Sequence, residues 1–501
     1  MKSLLTLKSH KRMKKMKDFS PKDIVELLRG IGIDGENLTR LMEALRVFQI
    51  GIEQVQQILE EHPEPREHLE RISAGLSIFD KGLGAVLDEK ELQIENPKTY
   101  NFKELMFYEN LERLVFWGEW YETTDLSELA HLDHLKSLII KHTNGTFLDI
   151  GSIEKHCKHL ERLYIEIGCA HIDTRVLSGL SDLSFLFLVS SEASSFDATG
   201  LTELRSLEEL ILGLPAVDTL DLTYLNELLS IRHLRVQGVA TCLLPQRCPV
   251  STLFIESEYF SDLTPLHDYP MLEELALKSP EMNYRKRLQE GREQNLDLSH
   301  LKDNDKLTTL TIDHISDRHQ EPHDMDLRPL SQCASLKKIH ITHNKLKSLY
   351  LPSSPTLATM NARNNELRTV DLSPLRACNR LGFIDLGINK LKRIDLSPLE
   401  NISIAAIDLS YNRFKTINLP KLQSLSELRI TDNPISELDI TPLLEIIIER
   451  IDKGVGYKME LYYEEDLKLT AESRLRERVE SAKPEIWRRF SRVPVERITW
   501  N

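Results

Sequence analysis

The chain has 501 residues, of which 41% are hydrophobic, 28% charged and only 6% aromatic, with leucine at about one residue in six. That balance supports a buried core and excludes disorder as the main state. A formal net charge of −14 argues against general electrostatic attraction to nucleic acid or to an anionic membrane. Six cysteines (Cys157, Cys169, Cys242, Cys248, Cys333, Cys378) are too sparse for a disulfide framework and form no CxxC pair. No stretch has the ~18 consecutive apolar residues of a membrane span. The N-terminus lacks the apolar core of a secretion signal, so a cytoplasmic protein is expected.

In chain order, residues 1–17 come first, with seven basic residues (Lys2, Lys8, Lys11, Arg12, Lys14, Lys15, Lys17) and no acidic one. They read as a disordered tail. Residues 18–95 show helix punctuation. Ser20-Pro21 opens a run with Ile24, Val25, Leu27 and Leu28 that stops at Gly30, and Leu38, Leu41, Met42, Leu45 and Phe48 come next at helical spacing. A small helical bundle is predicted there, either a cap on the downstream repeats or an adaptor with its own partner. The stretch 82–110 reads as linker or docking segment.

From Leu111 the pattern L-x-x-L-x-L recurs, with starts at Leu111, Leu135, Leu160, Leu183, Leu207, Ile231, Val250, Leu272, Leu307, Leu336, Leu357, Leu381, Ile404 and Leu425. Most starts lie 21 to 25 residues apart. The last five units extend the pattern with Asn344, Asn365, Asn389, Asn412 and Asn433. Upstream, Thr143, Gly168, Ser191 and Pro215 stand at the asparagine's place. With these fourteen units, about residues 111–443, the chain resembles the leucine-rich repeat family. The resemblance implies an α/β leucine-rich repeat solenoid over residues 96–445, with parallel strands on a concave face and short helical or 3₁₀ turns on the convex face. Alternation along each strand points Ile339 and Ile341 inward and Lys338, His340 and Thr342 outward. The asparagines sit at the turns, where their amides meet backbone groups left unpaired by the strands.

A second phrase recurs as Asp262-Leu263-Thr264-Pro265, Asp371-Leu372-Ser373-Pro374, Asp395-Leu396-Ser397-Pro398 and Asp439-Ile440-Thr441-Pro442. Ser or Thr before Pro predicts a helix start capped by the hydroxyl. The phrase looks like that of intracellular bacterial and archaeal repeats, and no cysteine-rich caps flank the repeats. Long spacings, Leu272 to Leu307 and Leu307 to Leu336, predict inserted loops at 278–295 and 313–326. Residues 446–501, with Leu467, Leu469, Leu475, Val479, Ile486, Trp487 and Phe490, are expected to form a helical C-terminal cap.

No enzyme motif is present: neither a phosphate loop, a dinucleotide fingerprint, HExxH nor GxSxG. The segment Asp313, His314, Asp317, His319, His323, Asp324, Asp326 is rich in potential ligands but reads as a solvated loop, so no metal and no cofactor are expected. Candidate function lies on the concave face. The outward residue between the two inner apolar positions is Val115, Ile139, Tyr164, Phe187, Ile211, Arg235 and Phe254 in the first seven units, then Ala276, then Thr311, His340, Asn361, Asp385, Asp408 and Arg429. Trp117 and Phe185 lie on flanking columns. At ~4.8 Å between strands the apolar column would run for about 30 Å, and a monomer seldom leaves such a strip wet.

The expected function is a non-catalytic scaffold for a protein partner. Val115, Trp117, Ile139, Tyr164, Phe185, Phe187, Ile211 and Phe254 would anchor it, and His340, Asn361, Arg363 and Asp385 would orient it. No nucleic acid, membrane or small-molecule substrate is implied. A regulatory subunit whose N-terminal bundle docks a catalytic partner is the alternative.

Overall fold

The computed structural model describes residues 89–501 except 101, 119–125, 142–150, 169, 261, 281–295, 316–322, 423 and 494. The basic tail, the segment up to residue 88 predicted to be helical, and residues 281–295 and 316–322 of the two insertions lie outside the described residues. The chain divides into two compact units, one up to Ala193 with Asp197–Leu207, the other Ser194–Phe196 with Glu208–Asn501.

In the first unit the strands Glu91–Ile94, Arg113–Trp117, Ser137–Lys141, Arg162–Glu166 and Phe185–Val189 pair in parallel, each with the next. In the second, twelve strands do the same, from Glu209–Gly213 through His233–Leu243, Thr252–Tyr259, Glu274–Lys278, Thr309–Asp313, Lys338–Thr342, Thr359–Asn361, Phe383–Asp385, Ala406–Asp408, Glu427–Arg429 and Met459–Tyr462 to Phe490–Ser491. Every predicted unit supplies a strand two residues after its start. Each unit is thus an α/β repeat solenoid: every rung gives one strand to this parallel sheet, and 3₁₀ turns such as Thr174–Leu177, Thr223–Glu227 and Ser373–Ala377 lead on to the next.

Register makes the core. Leu310, Ile339, Met360, Ile384, Ile407, Leu428 and Leu461 are successive partners across the second unit, and all are buried. A fully buried aliphatic side chain stabilises by about 1.5–3 kcal/mol, and here each is buried only because a neighbouring rung covers it.

Both ends differ from expectation. Glu91–Ile94, inside the segment 18–95 assigned to helices, is a strand paired with Arg113–Trp117. Residues 446–501 are not a helical cap: Met459–Tyr462 and Phe490–Ser491 continue the parallel sheet as two more rungs. Their helices, Thr441–Asp452, Arg476–Ser481 and Lys483–Arg489, stand between the strands where other rungs have 3₁₀ turns. Val479, Ile486 and Phe490 are buried among them as a closing rung requires. Within the second insertion, His323–Asp326 is a strand paired with Leu346–Tyr350.

The asparagines form the expected ladder. The Asn389 amide donates to the carbonyls of Ala362 and Leu386, both at 3.0 Å, and its oxygen accepts from Leu367 N at 3.1 Å. Asn365 and Asn412 repeat this arrangement one rung to either side. The residue before each asparagine is left-handed: His343, Asn364, Ile388, Tyr411 and Asp432 have φ between 51° and 60°. For β-branched Ile388 that conformation is costly, so the turn is held by the ladder and not by local preference. Upstream, buried serines one position earlier take part of the role: Ser257 Oγ donates to Ala240 O at 3.0 Å and Ser279 Oγ to Ser257 O at 3.2 Å.

The turn caps correct a second expectation. The N-cap residues are Leu263, Leu372, Leu396 and Ile440, which make no side-chain cap, and the Ser or Thr before proline is already the first residue of the turn. The aspartate two residues earlier accepts the Ser or Thr backbone N–H instead, at 2.8 Å for Asp262 and 2.9 Å for Asp371, Asp395 and Asp439. The same contact recurs at Asp173, Asp197, Asp221, Asp297 and Asp326.

Asn389→Ala removes the asparagine's hydrogen bonds inside the core, and at a cost of roughly 1–3 kcal/mol for a buried group left unpaired it should lower the urea midpoint clearly. A midpoint within error of the parent would mean that the ladder is dispensable. Asp439→Ala should cost about 1 kcal/mol and Asp439→Asn much less, since asparagine caps equally well. The carboxyls of Asp262, Asp326 and Asp371 lie below their usual range because of the side-chain and backbone hydrogen bonds of the residue two positions on. Their contribution is complete above the unfolded value of ~3.9 and is lost as pH falls through the lower folded values. Acid denaturation curves of the parent and an Asp262→Asn/Asp371→Asn variant should therefore converge below that range.

Candidate functional site

The outward column is in register as anticipated. Gln93, Val115, Ile139, Tyr164 and Phe187 are successive partners in the first unit, and Ile211, Arg235, Phe254, Ala276, Thr311, His340, Asn361, Asp385, Asp408, Arg429 and Tyr462 in the second. Alternation along each strand puts these side chains on the face opposite the leucines.

In the first unit the column carries an aromatic cluster. The rings of Tyr164 and Phe187 stack with centroids 3.9 Å apart and planes 5° apart. Lys141 places its ammonium 4.6 Å from the Trp117 ring centre and 5.0 Å from that of Tyr164, and Arg162 lies 4.1 Å over Phe185. Trp117 is 43% exposed, whereas Val115 is buried at 2% and offers no surface. Ile139, Phe185 and Phe187 are half-buried. Burial, and then Glu166, which accepts from the phenol at 3.2 Å, push the Tyr164 hydroxyl up to about 12, so it is a neutral donor at neutral pH. The lysine and arginine positions could not be chosen from sequence by residue type alone; the signal was their placement on columns beside the aromatics.

In the second unit Phe254 lies under Arg235 at 4.3 Å, with Lys278 at 5.9 Å, and Ile211 is half-buried on the neighbouring strand. Of the residues expected to give specificity, Asn361, Arg363 and Asp385 are engaged with one another. Asn361, Asp385 and Asp408 each accept a backbone N–H two residues on, from Arg363 at 3.0 Å, Gly387 at 2.8 Å and Ser410 at 2.9 Å. Arg363 bridges Asp385 at 3.6 Å and Asp408 at 3.3 Å. Asp385 is buried, and burial raises its carboxyl above the usual range against the pull of Gly387 N–H and Arg363. His340 is half-buried and held below its ordinary value by burial and then Lys338.

The ligand-rich segment is divided by the fold. Asp326 caps the turn at Arg328, and His323 belongs to the strand beside Leu346–Tyr350. Asp313 and His314 instead meet His343 of the next rung, a partner outside the segment marked in the sequence. The described cysteines 157, 242, 248, 333 and 378 are free and buried, and burial lifts the first four to about 12. Among the described residues no helix is long and apolar enough to cross a membrane.

Comparison with solved structures identifies the class. A leucine-rich repeat protein of Leptospira interrogans is similar over 81% of this chain and 97% of its own, at 16% identity and a TM-score of 0.55. A chain of the Toll–Spatzle complex of Drosophila matches over 80% of this chain at 12% identity and a TM-score of 0.50, and this chain spans 58% of that one. No family model and no curated protein matches the sequence. The protein is a leucine-rich repeat protein by fold, as its rungs, asparagine ladder and parallel register require.

Because the aromatic cluster rests on the sheet and not within its core, Phe187→Ala should lose only the ring pair, about 0.5–1.5 kcal/mol beyond its area burial. A thermal melt that instead shows loss of cooperative folding would place Phe187 in the core.

Proposed function

We propose that this chain is a non-catalytic interaction scaffold that captures a protein partner on the outward strand face of its first unit. The observation that carries the reading is the aromatic cluster of Trp117, Tyr164 and Phe187, with Phe185 alongside and Ile139 between. Its rings are ordered by stacking and by Lys141 and Arg162, and Trp117 stays open to solvent. Rigid, amphipathic rings bury large areas at low entropic cost, which is what interface anchors need. The two cations add a preference for a partner surface that carries carboxylates around an apolar anchor. Ile211 and Phe254 offer a second apolar contact in the second unit. Arg363 and Asp385 then serve mainly to hold that sheet. The free, buried cysteines support a reducing, cytoplasmic setting.

Full-length chain and its Tyr164→Asp/Phe187→Asp variant, used side by side as bait and checked by circular dichroism, test the reading. The partner retained by the parent should be lost from the variant at native ellipticity, and Trp117→Ala should weaken capture by about 30-fold or more, the loss expected of a hot spot worth at least ~2 kcal/mol. Undiminished capture by the folded double variant would move the interface elsewhere.

A further inference from the structure

From the convergence of three side chains on one point beside the sheet, we propose that Asp313, His314 and His343 form a binding site for a zinc-class divalent transition-metal ion. Asp313 ends the strand Thr309–Asp313, His314 comes directly after it, and His343 comes directly after the neighbouring strand Lys338–Thr342, in which Thr342 is the register partner of Asp313. Both imidazoles turn Nδ1 toward the same carboxylate oxygen, at 3.2 Å for His314 and 3.1 Å for His343. Their rings stack 4.2 Å apart with planes 8° from parallel, and the three ligand atoms all lie within 4.8 Å of one another.

Those distances are what a metal asks for. With bonds of ~2.0–2.2 Å, neighbouring ligands stand about 2.9 Å apart in an octahedral site and about 3.4 Å apart in a tetrahedral one. Both observed edges fall in that interval; the two imidazoles, now stacked 8° from parallel, turn out of their stack to aim both nitrogens at one ion. The Thr342 hydroxyl donates to the same Asp313 oxygen at 2.6 Å and helps to hold the carboxylate in place. Lys278, 3.6 Å from the other carboxylate oxygen, fixes the group's orientation while competing for its charge. Two imidazoles and one carboxylate favour zinc, cobalt, nickel or ferrous iron over calcium or magnesium, which prefer all-oxygen shells. Three protein ligands leave at least one coordination position for water or for a group from a bound partner.

Both histidines occupy left-handed positions, φ 56° and 60°. Asparagine tolerates that conformation, so His314→Asn/His343→Asn removes the imidazoles without breaking the turn. Untagged full-length chain, stripped with chelator and titrated with zinc chloride by calorimetry, should take up one equivalent at this site. The double variant should bind it roughly 100-fold more weakly or worse, at least matching the loss seen when supporting groups of metal sites are removed. His267→Asn, an exposed histidine elsewhere, should bind as the parent does, and cobalt(II) should give a visible spectrum with the parent that the double variant lacks. Equal zinc affinity in parent and double variant, or no uptake by the parent, overturns the proposal and leaves the cluster a hydrogen-bonded hub of the ladder.

Discussion

A strand that stops at the end of each rung leaves its last backbone groups beneath the next turn, out of reach of water, and their satisfaction governs everything else in this structure. Buried N–H and C=O groups without partners cost free energy on the scale of the whole fold's stability. Here the asparagine amide of one rung donates to carbonyls of its own and the preceding rung and accepts an N–H from the preceding turn, so each repeat completes its neighbour. The aspartates two residues before the turns do the equivalent work for the N–H groups that open those turns. The left-handed residues, Ile388 among them, are a consequence: the backbone bends as the ladder demands.

Once rungs are locked in register, side-chain identity along one column becomes a surface property. In the first unit large apolar residues recur at the outward position, and stacking with cation contacts gives an organised aromatic surface. In the downstream rungs Asn361, Asp385 and Asp408 occupy that position, but their oxygens turn back to the N–H two residues later. The polar half of the column is therefore spent largely on the turns. The same packing of consecutive rungs brings His314 over His343, although they are separated by a full repeat.

Much of this was legible in the leucine pattern. Fourteen starts gave fourteen strands with the anticipated inward and outward faces, because alternation and period are properties of local geometry. The ends were not legible for a definite reason: three helices lengthen the last two rungs to 32 and 31 residues, from Glu427 to Met459 and from Met459 to Phe490, so the period fails where the register persists. Asp and Ser both suit a helix start, so only the three-dimensional turn shows which oxygen reaches the N–H. Ser257 and Ser279 sit one position away from the asparagine's place, so the repeat pattern does not mark them.

What the sequence determined alone was the repeat: the apolar period, the number of central rungs and the column on which aromatic residues fall, since these are set by spacing along one chain. Tertiary structure decided which of those residues are available. It buried Val115, opened Trp117, turned Asp385 toward its own backbone and joined Asp313 to a histidine in the next rung. The last of these depends on what the neighbouring rung places within a few ångströms, a distance that position along the chain does not encode.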